Sequence, residues 1–262
     1  MRLGGPLPAD RSPSVEVFEI PWMTEERVFG SVMRQKITGK AKAWTALLLC
    51  CAAGAGLPGS ARADGDVAAG KIIAEQGVRP GHPVCASCHM ADGSGQAIGG
   101  IPRLAGLPAS YLEKQLGYFA SGVRANVFMK EFAAALTPEQ RANVAAYYAS
   151  LPAPAYDSSI APAPALVSQG EALYKKGKPA QRVMACAGCH GPTGAGLGKM
   201  FPALAGQSQA YMIEQLSIWH TGAKRDPDSA LMLMEAKSLT PDEIRALAAY
   251  IHTLGFAAAK PQ

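Results

Sequence analysis

The residues able to do chemistry in this chain fall in two short segments, Cys85-Ala-Ser-Cys-His89 and Cys186-Ala-Gly-Cys-His190. Two thiols separated by two residues reach two vinyl groups along one edge of a porphyrin. The adjacent histidine is then set under the metal as its proximal ligand. C-x-x-C-H is for this reason the attachment signature of c-type haem. Zinc wants four ligands within one small unit, and a thioredoxin-like pair sits in a βαβ pattern; neither context is present. The predicted cofactors are therefore two covalently bound haem c groups with iron.

A sixth ligand must approach from the opposite side of each ring. In the first half the candidates are Met90 and Met129. Met90 directly follows the proximal histidine and cannot reach the other face. Met129 lies 40 residues after His89 and eight before Thr137, and Met232 lies 42 after His190 and eight before Thr240. Register selects Met129 and Met232, with Met234 as the competitor in the second half. His82, His220 and His252 lack partners in the other half and read as surface or packing residues. Pro102 and Pro202 follow the proximal histidines by 13 and 12 residues. A turn there can offer the carbonyl that fixes a ligating imidazole, or be an ordinary turn. Tyr111 and Tyr211, and Gln115 and Gln215, are matched pairs that suit either a haem edge or helix packing.

These residues sit in an internal repeat, a signal that takes precedence over local patterns. Besides the cysteine motifs, Ile101-Pro-Arg-Leu-Ala-Gly106 matches Phe201-Pro-Ala-Leu-Ala-Gly206, and Tyr111–Leu116 matches Tyr211–Leu216. Leu136-Thr-Pro-Glu-Gln140 likewise matches Leu239-Thr-Pro-Asp-Glu243. Four blocks in one order predict two copies of one domain, residues 64–151 and 166–262, joined by a Pro/Ala-rich extended linker at 152–165.

The expected fold class is all-α. First helices are predicted at 67–76 and 165–175, middle helices at 110–121 and 209–221. Each last helix opens on a capping box, Thr137 with Gln140 and Thr240 with Glu243, with proline at the first helical position. The glycine-rich stretches 92–100 and 191–198 read as loops.

The first 63 residues belong to neither copy. Arg34, Lys36, Lys40 and Lys42 precede an apolar run from Trp44 to Leu57 and then Ser60-Ala-Arg-Ala63. That order predicts a cleaved secretory signal at 33–63; about 14 apolar residues are too few to span a bilayer. Residues 1–32 read as a start assigned too early, or as an extension. The leader holds eight of the 25 Lys and Arg but five of the 20 Asp and Glu. The remainder carries a net charge of +2, so the basic balance of the whole chain is no argument for nucleic-acid binding.

Taken together, tandem C-x-x-C-H domains, Pro-x-Leu-Ala-Gly after each, a Met-containing loop, Leu-Thr-Pro-(Glu/Asp) and an Ala-Ala-Tyr helix resemble the cytochrome c4 family. The resemblance covers nearly all of 66–255. It implies two tandem class I cytochrome c folds packed face to face, in the periplasm. It assigns Cys85, Cys88, His89 and Met129 to one haem and Cys186, Cys189, His190 and Met232 to the other. Family members often carry paired methionines at the ligand position, whereas Met129 stands alone and Met232 is followed by Leu233.

His/Met ligation saturates iron and raises its potential, leaving no open position for a substrate. The expected function is single-electron transfer, without catalysis. The expected donor is a cytochrome bc complex or a dehydrogenase, and the acceptor a terminal oxidase or reductase. The chain is expected to be a monomer, at most peripherally associated with membrane. The alternatives are a dihaem enzyme of peroxidase or thiosulfate-oxidising type, and the haem subunit of a dehydrogenase complex.

Overall fold

Helices account for the regular structure of the computed structural model, which describes residues 65–154 and 160–255. The expected extension and signal at 1–32 and 33–63 lie outside the described residues. Among those residues no strand forms, only isolated bridges such as Gln96–Ile101 and Leu197–Phe201.

The first half runs α1 (Val67–Gln76), α2 (Ala86–His89), α3 (Ala109–Ser121), α4 (Val127–Ala134) and α5 (Pro138–Ser150). The second repeats it as α6 (Pro164–Lys176), α7 (Ala187–His190), α8 (Gln209–His220), α9 (Ala230–Lys237) and α10 (Pro241–Thr253). Local chemistry explains the ends. Asp66 accepts from the backbone N–H groups of Ala68 and Ala69, and α1 stops at Gly77, whose φ is 79°. Both expected capping boxes form, Thr137 with Gln140 and Thr240 with Glu243. Helix α6 begins at Pro164, so the end of the expected linker is already helical: proline is well suited to the first turn, where its missing N–H is not needed.

The methionine segments differ from the expected loops. Met129 lies in α4, capped by the Asn126 side chain, which accepts from Met129 N at 2.9 Å. Met232 lies in α9, entered through a 3₁₀ turn at Pro227–Ser229. Eight-residue helices show barely two turns of periodicity, too little for a pattern to register.

In each half the first helix crosses the last, α1 on α5 and α6 on α10, while α3 and α8 pack on the same last helices. The crossings turn on glycine. A Cβ on Gly70 would fall on the backbone of Asn143, and one on Gly170 on that of Ala246. The two cores do not copy each other residue by residue. Ala74 with Tyr148 in one stands for Tyr174 with Ile251 in the other, all within 2% exposure.

Candidate haem sites

Each cysteine pair sits on one helical turn. His89 N donates to Cys85 O at 2.9 Å and His190 N to Cys186 O at 2.8 Å, so two thiols and an imidazole are carried by a single rigid unit. No disulfide joins the four cysteines of these motifs. Burial pushes the Cys85 and Cys186 thiols up to about 11. That is the opposite of the depressed values of nucleophilic or redox-exchanging cysteines. Among the described residues no group of three or more His, Cys, Asp or Glu could hold a metal ion, which leaves zinc without a ligand set.

The chain then doubles back on the turn. Gly95 N donates to His89 O at 3.0 Å and Gly196 N to His190 O at 2.9 Å. Both glycines have positive φ, 74° and 82°. A Cβ at Gly95 would meet the Pro102 carbonyl at 2.6 Å, and one at Gly196 the carbonyl carbon of Pro202 at 3.1 Å. This close approach delivers the carbonyls that the proline spacing made possible. His89 Nδ1 lies 3.0 Å from Pro102 O, and His190 Nδ1 lies 2.9 Å from Pro202 O. Carrying its proton on Nδ1, each ring donates there and keeps Nε2 for a metal. Both histidines are buried, and burial lowers their pKa although the carbonyl bond pulls it up. A neutral imidazole is the form that binds metal.

Met129 and Met232 are both half-buried. Met129 is flanked by strongly exposed Val127 and Phe128, and Met232 packs against the core of its half while Met234 is 67% exposed. His82 stands edge-on to Phe132, and His252 is buried with Nδ1 3.2 Å from Gln207 O.

Repeat matching alone did not reveal where Tyr111, Tyr211, Gln115 and Gln215 meet. They lie where the two halves touch, threaded by Arg124 and Arg225. Arg124 donates to Gln115 Oε1 at 2.6 Å in its own half, and to Tyr211 Oη and Gln215 Oε1 at 3.0 Å in the other. Arg225 donates to Gln215 Oε1 at 3.0 Å, and its charge acts on Tyr111 across the boundary. Arg124 lies over Phe119 and Arg225 over Trp219, at 4.4 and 4.5 Å from the ring centroids. Two arginines just beyond matched helices, 101 positions apart, were the signal in the sequence.

A haem fits this donor set. In each half its two vinyl-derived carbons would take the two thiols of that motif, its iron would take imidazole and thioether, and its carboxylates would answer two features the protein leaves open. Arg124 is buried among neutral partners, a costly state for a cation without an anion. The Trp219 indole N–H is buried without an acceptor.

Comparison with known proteins finds the same family over both halves. The family model described as Cytochrome c matches residues 67–152 and 167–255. A protein of Stutzerimonas stutzeri named "Thiosulfate dehydrogenase electron acceptor" is 40% identical over 185 residues, 71% of this chain and 85% of that protein. A cytochrome c4 of Pseudomonas aeruginosa is 38% identical over 202 residues, 76% of this chain and 94% of the other. Among solved structures, reduced cytochrome c4 from Pseudomonas stutzeri has a TM-score of 0.64 at 34% identity, covering 72% of this chain and 99% of that one. Thiosulfate dehydrogenase (TsdBA) from Marichromatium purpuratum has a TM-score of 0.67 at 43% identity and covers 74% of this chain. The chain spans 41% of that enzyme's length.

Proposed function

Because the chain belongs to the cytochrome c family and is a dihaem member of it, with two covalent haem c groups, we propose that it is a periplasmic electron carrier that accepts single electrons from a thiosulfate dehydrogenase and passes them to a respiratory acceptor. Haem supplies the one-electron couple; the protein holds it, saturates it and keeps water from it. The observation that carries the reading is the equivalence of the two sites. Each half offers a proximal histidine tied to a proline carbonyl at 2.9–3.0 Å and a half-buried methionine in register, Met129 or Met232. Two saturated irons carry electrons and bind no substrate.

The donor assignment rests on likeness to the thiosulfate dehydrogenase electron acceptor and to part of a thiosulfate dehydrogenase chain. Export is supported by the expected signal at 33–63. In addition, no described helix is long and apolar enough to cross a membrane. The encounter is of the small, transient kind usual for redox pairs.

Stopped-flow mixing tests the proposal. The oxidised protein should be reduced rapidly by a thiosulfate dehydrogenase supplied with thiosulfate, in two equivalents per chain, and stay oxidised with thiosulfate alone. If the isolated protein consumes thiosulfate with an artificial oxidant, the enzyme reading takes its place.

A further inference from the structure

The carbonyl that orients His89 belongs to the peptide joining Pro102 to Arg103, and the N–H of that same peptide is held by the other half. Arg103 N donates to Gln207 Oε1 at 2.9 Å. The Gln207 side-chain amide closes the pair by donating to Arg103 O at 3.1 Å. Gln207 is itself fixed: its Oε1 also accepts from Ser208 N at 2.9 Å, and its carbonyl lies 3.2 Å from His252 Nδ1. Gln207 and Arg103 are buried, at 4% and 1% exposure, so water does not compete for these groups. A continuous line results, from the His89 imidazole through one peptide to a side chain of the second half.

The second half has no counterpart. The residue at the repeat position of Gln207 is Leu107, which has no acceptor, and the peptide after Pro202 leads to Ala203. Two sites that match at the histidine and its carbonyl therefore differ one bond further out.

We propose that Gln207 is a positioning residue that tunes the first haem from the second half. An N–H that donates to Gln207 polarises its peptide and makes the Pro102 carbonyl a better acceptor, as chained hydrogen bonds strengthen one another by roughly 10–30%. A better acceptor takes more of the His89 Nδ1 proton and makes the imidazole more basic. A more basic ligand favours the oxidised iron and lowers the potential of that half. The asymmetry sets an order between two otherwise similar carriers, with electrons driven away from the first half toward the second.

This inference rests on His89 being an axial ligand. His89→Ala should turn one haem high-spin and so identify its wave in a spectroelectrochemical titration; two low-spin haems in that variant would refute the ligand reading itself. With the wave assigned, Gln207→Leu, which installs the residue of the other copy, should raise the first-half potential and leave the second in place. The expected shift is about threefold in the equilibrium constant, roughly 30 mV at about 59 mV per tenfold for one electron. Gln207→Asn, one methylene short of the Arg103 N–H, guards against a misfolded leucine variant and should shift the same wave the same way. Asp228→Asn loosens a different contact between the halves, where Asp228 meets Lys114 at 2.8 Å and Tyr118 Oη at 3.0 Å. It should move neither wave. An unmoved first wave in both Gln207 variants overturns the proposal, as does an equal shift in Asp228→Asn.

Discussion

Arg124 of the first half donates to the Tyr211 hydroxyl of the second at 3.0 Å. The same guanidinium reaches Gln215 at 3.0 Å, so one buried side chain grips two residues of α8. Hydrogen bonds from a charged donor each contribute about 1.5–3 kcal/mol. Arg124→Met should lower stability by about 2 kcal/mol or more and uncouple the halves. Calorimetry should then resolve two unfolding transitions where the parent shows one. A single transition at the parent temperature would mean that the network does not hold the halves together.

Each axial methionine should carry its own share of the long-wavelength methionine-to-iron charge-transfer band of the oxidised protein. Met129→Ala should remove about half of it and Met232→Ala the other half. Met234→Ala should leave it intact, since Met234 is exposed while Met232 packs against the core. Loss in Met234→Ala alone would move the ligand by two residues and keep the function. A parent protein with one high-spin iron that binds cyanide or carbon monoxide readily would favour the enzyme reading.

Much of this arrangement was legible because the repeat states each feature twice. The helices around Thr137 and Thr240 are announced by capping boxes, and the prolines at 102 and 202 follow their histidines by 13 and 12 residues, a reach from which a turn can return a carbonyl to the ring. Helices α4 and α9 were not legible, being too short for periodicity. Nor was the crossing at Gly70 and Gly170, because a glycine inside a helix says nothing of what lies opposite. The Gln207–Arg103 pair spans 104 positions and breaks the repeat at both ends, so matching the copies hides it.

Met90 marks a local cost that the second copy avoids. It has φ 64° and ψ 156° after the first histidine, whereas Gly191 takes φ 78° at the matching place. That region is nearly exclusive to glycine and costs a side chain about 1–3 kcal/mol. Met90 is 44% exposed, so little packing is lost on removing it. Met90→Gly should stabilise the first half by about 1 kcal/mol with the haem spectrum unchanged. An unchanged or lower midpoint in denaturant would show that the strain is absent.

Mass spectrometry of the exported protein should find a chain starting near Asp64 with two haems attached. The expected signal ends in Ser60-Ala-Arg-Ala63, the small-residue pattern of a cleavage site. Cys50 or Cys51 retained in the exported chain would refute the processing site.

Glu243 links the second half to pH. Burial pulls its carboxyl up, but the Thr240 N–H and the Lys178 ammonium, 2.9 Å away, outweigh burial and hold it below the ordinary value. A carboxylate depressed in the folded state adds stability that is complete above its unfolded pKa of about 4.3 and is lost as the pH falls through the folded value. Glu243→Gln should keep the cap, because Gln140 performs that role with Thr137 in the first half, and should lose the pair with Lys178. The variant is then expected to be less stable by about 0.5–1 kcal/mol at pH 7 and no different from the parent near pH 3. Denaturant midpoints measured across that range decide it, and a deficit that persists undiminished in acid would place the effect in the cap rather than in the charge.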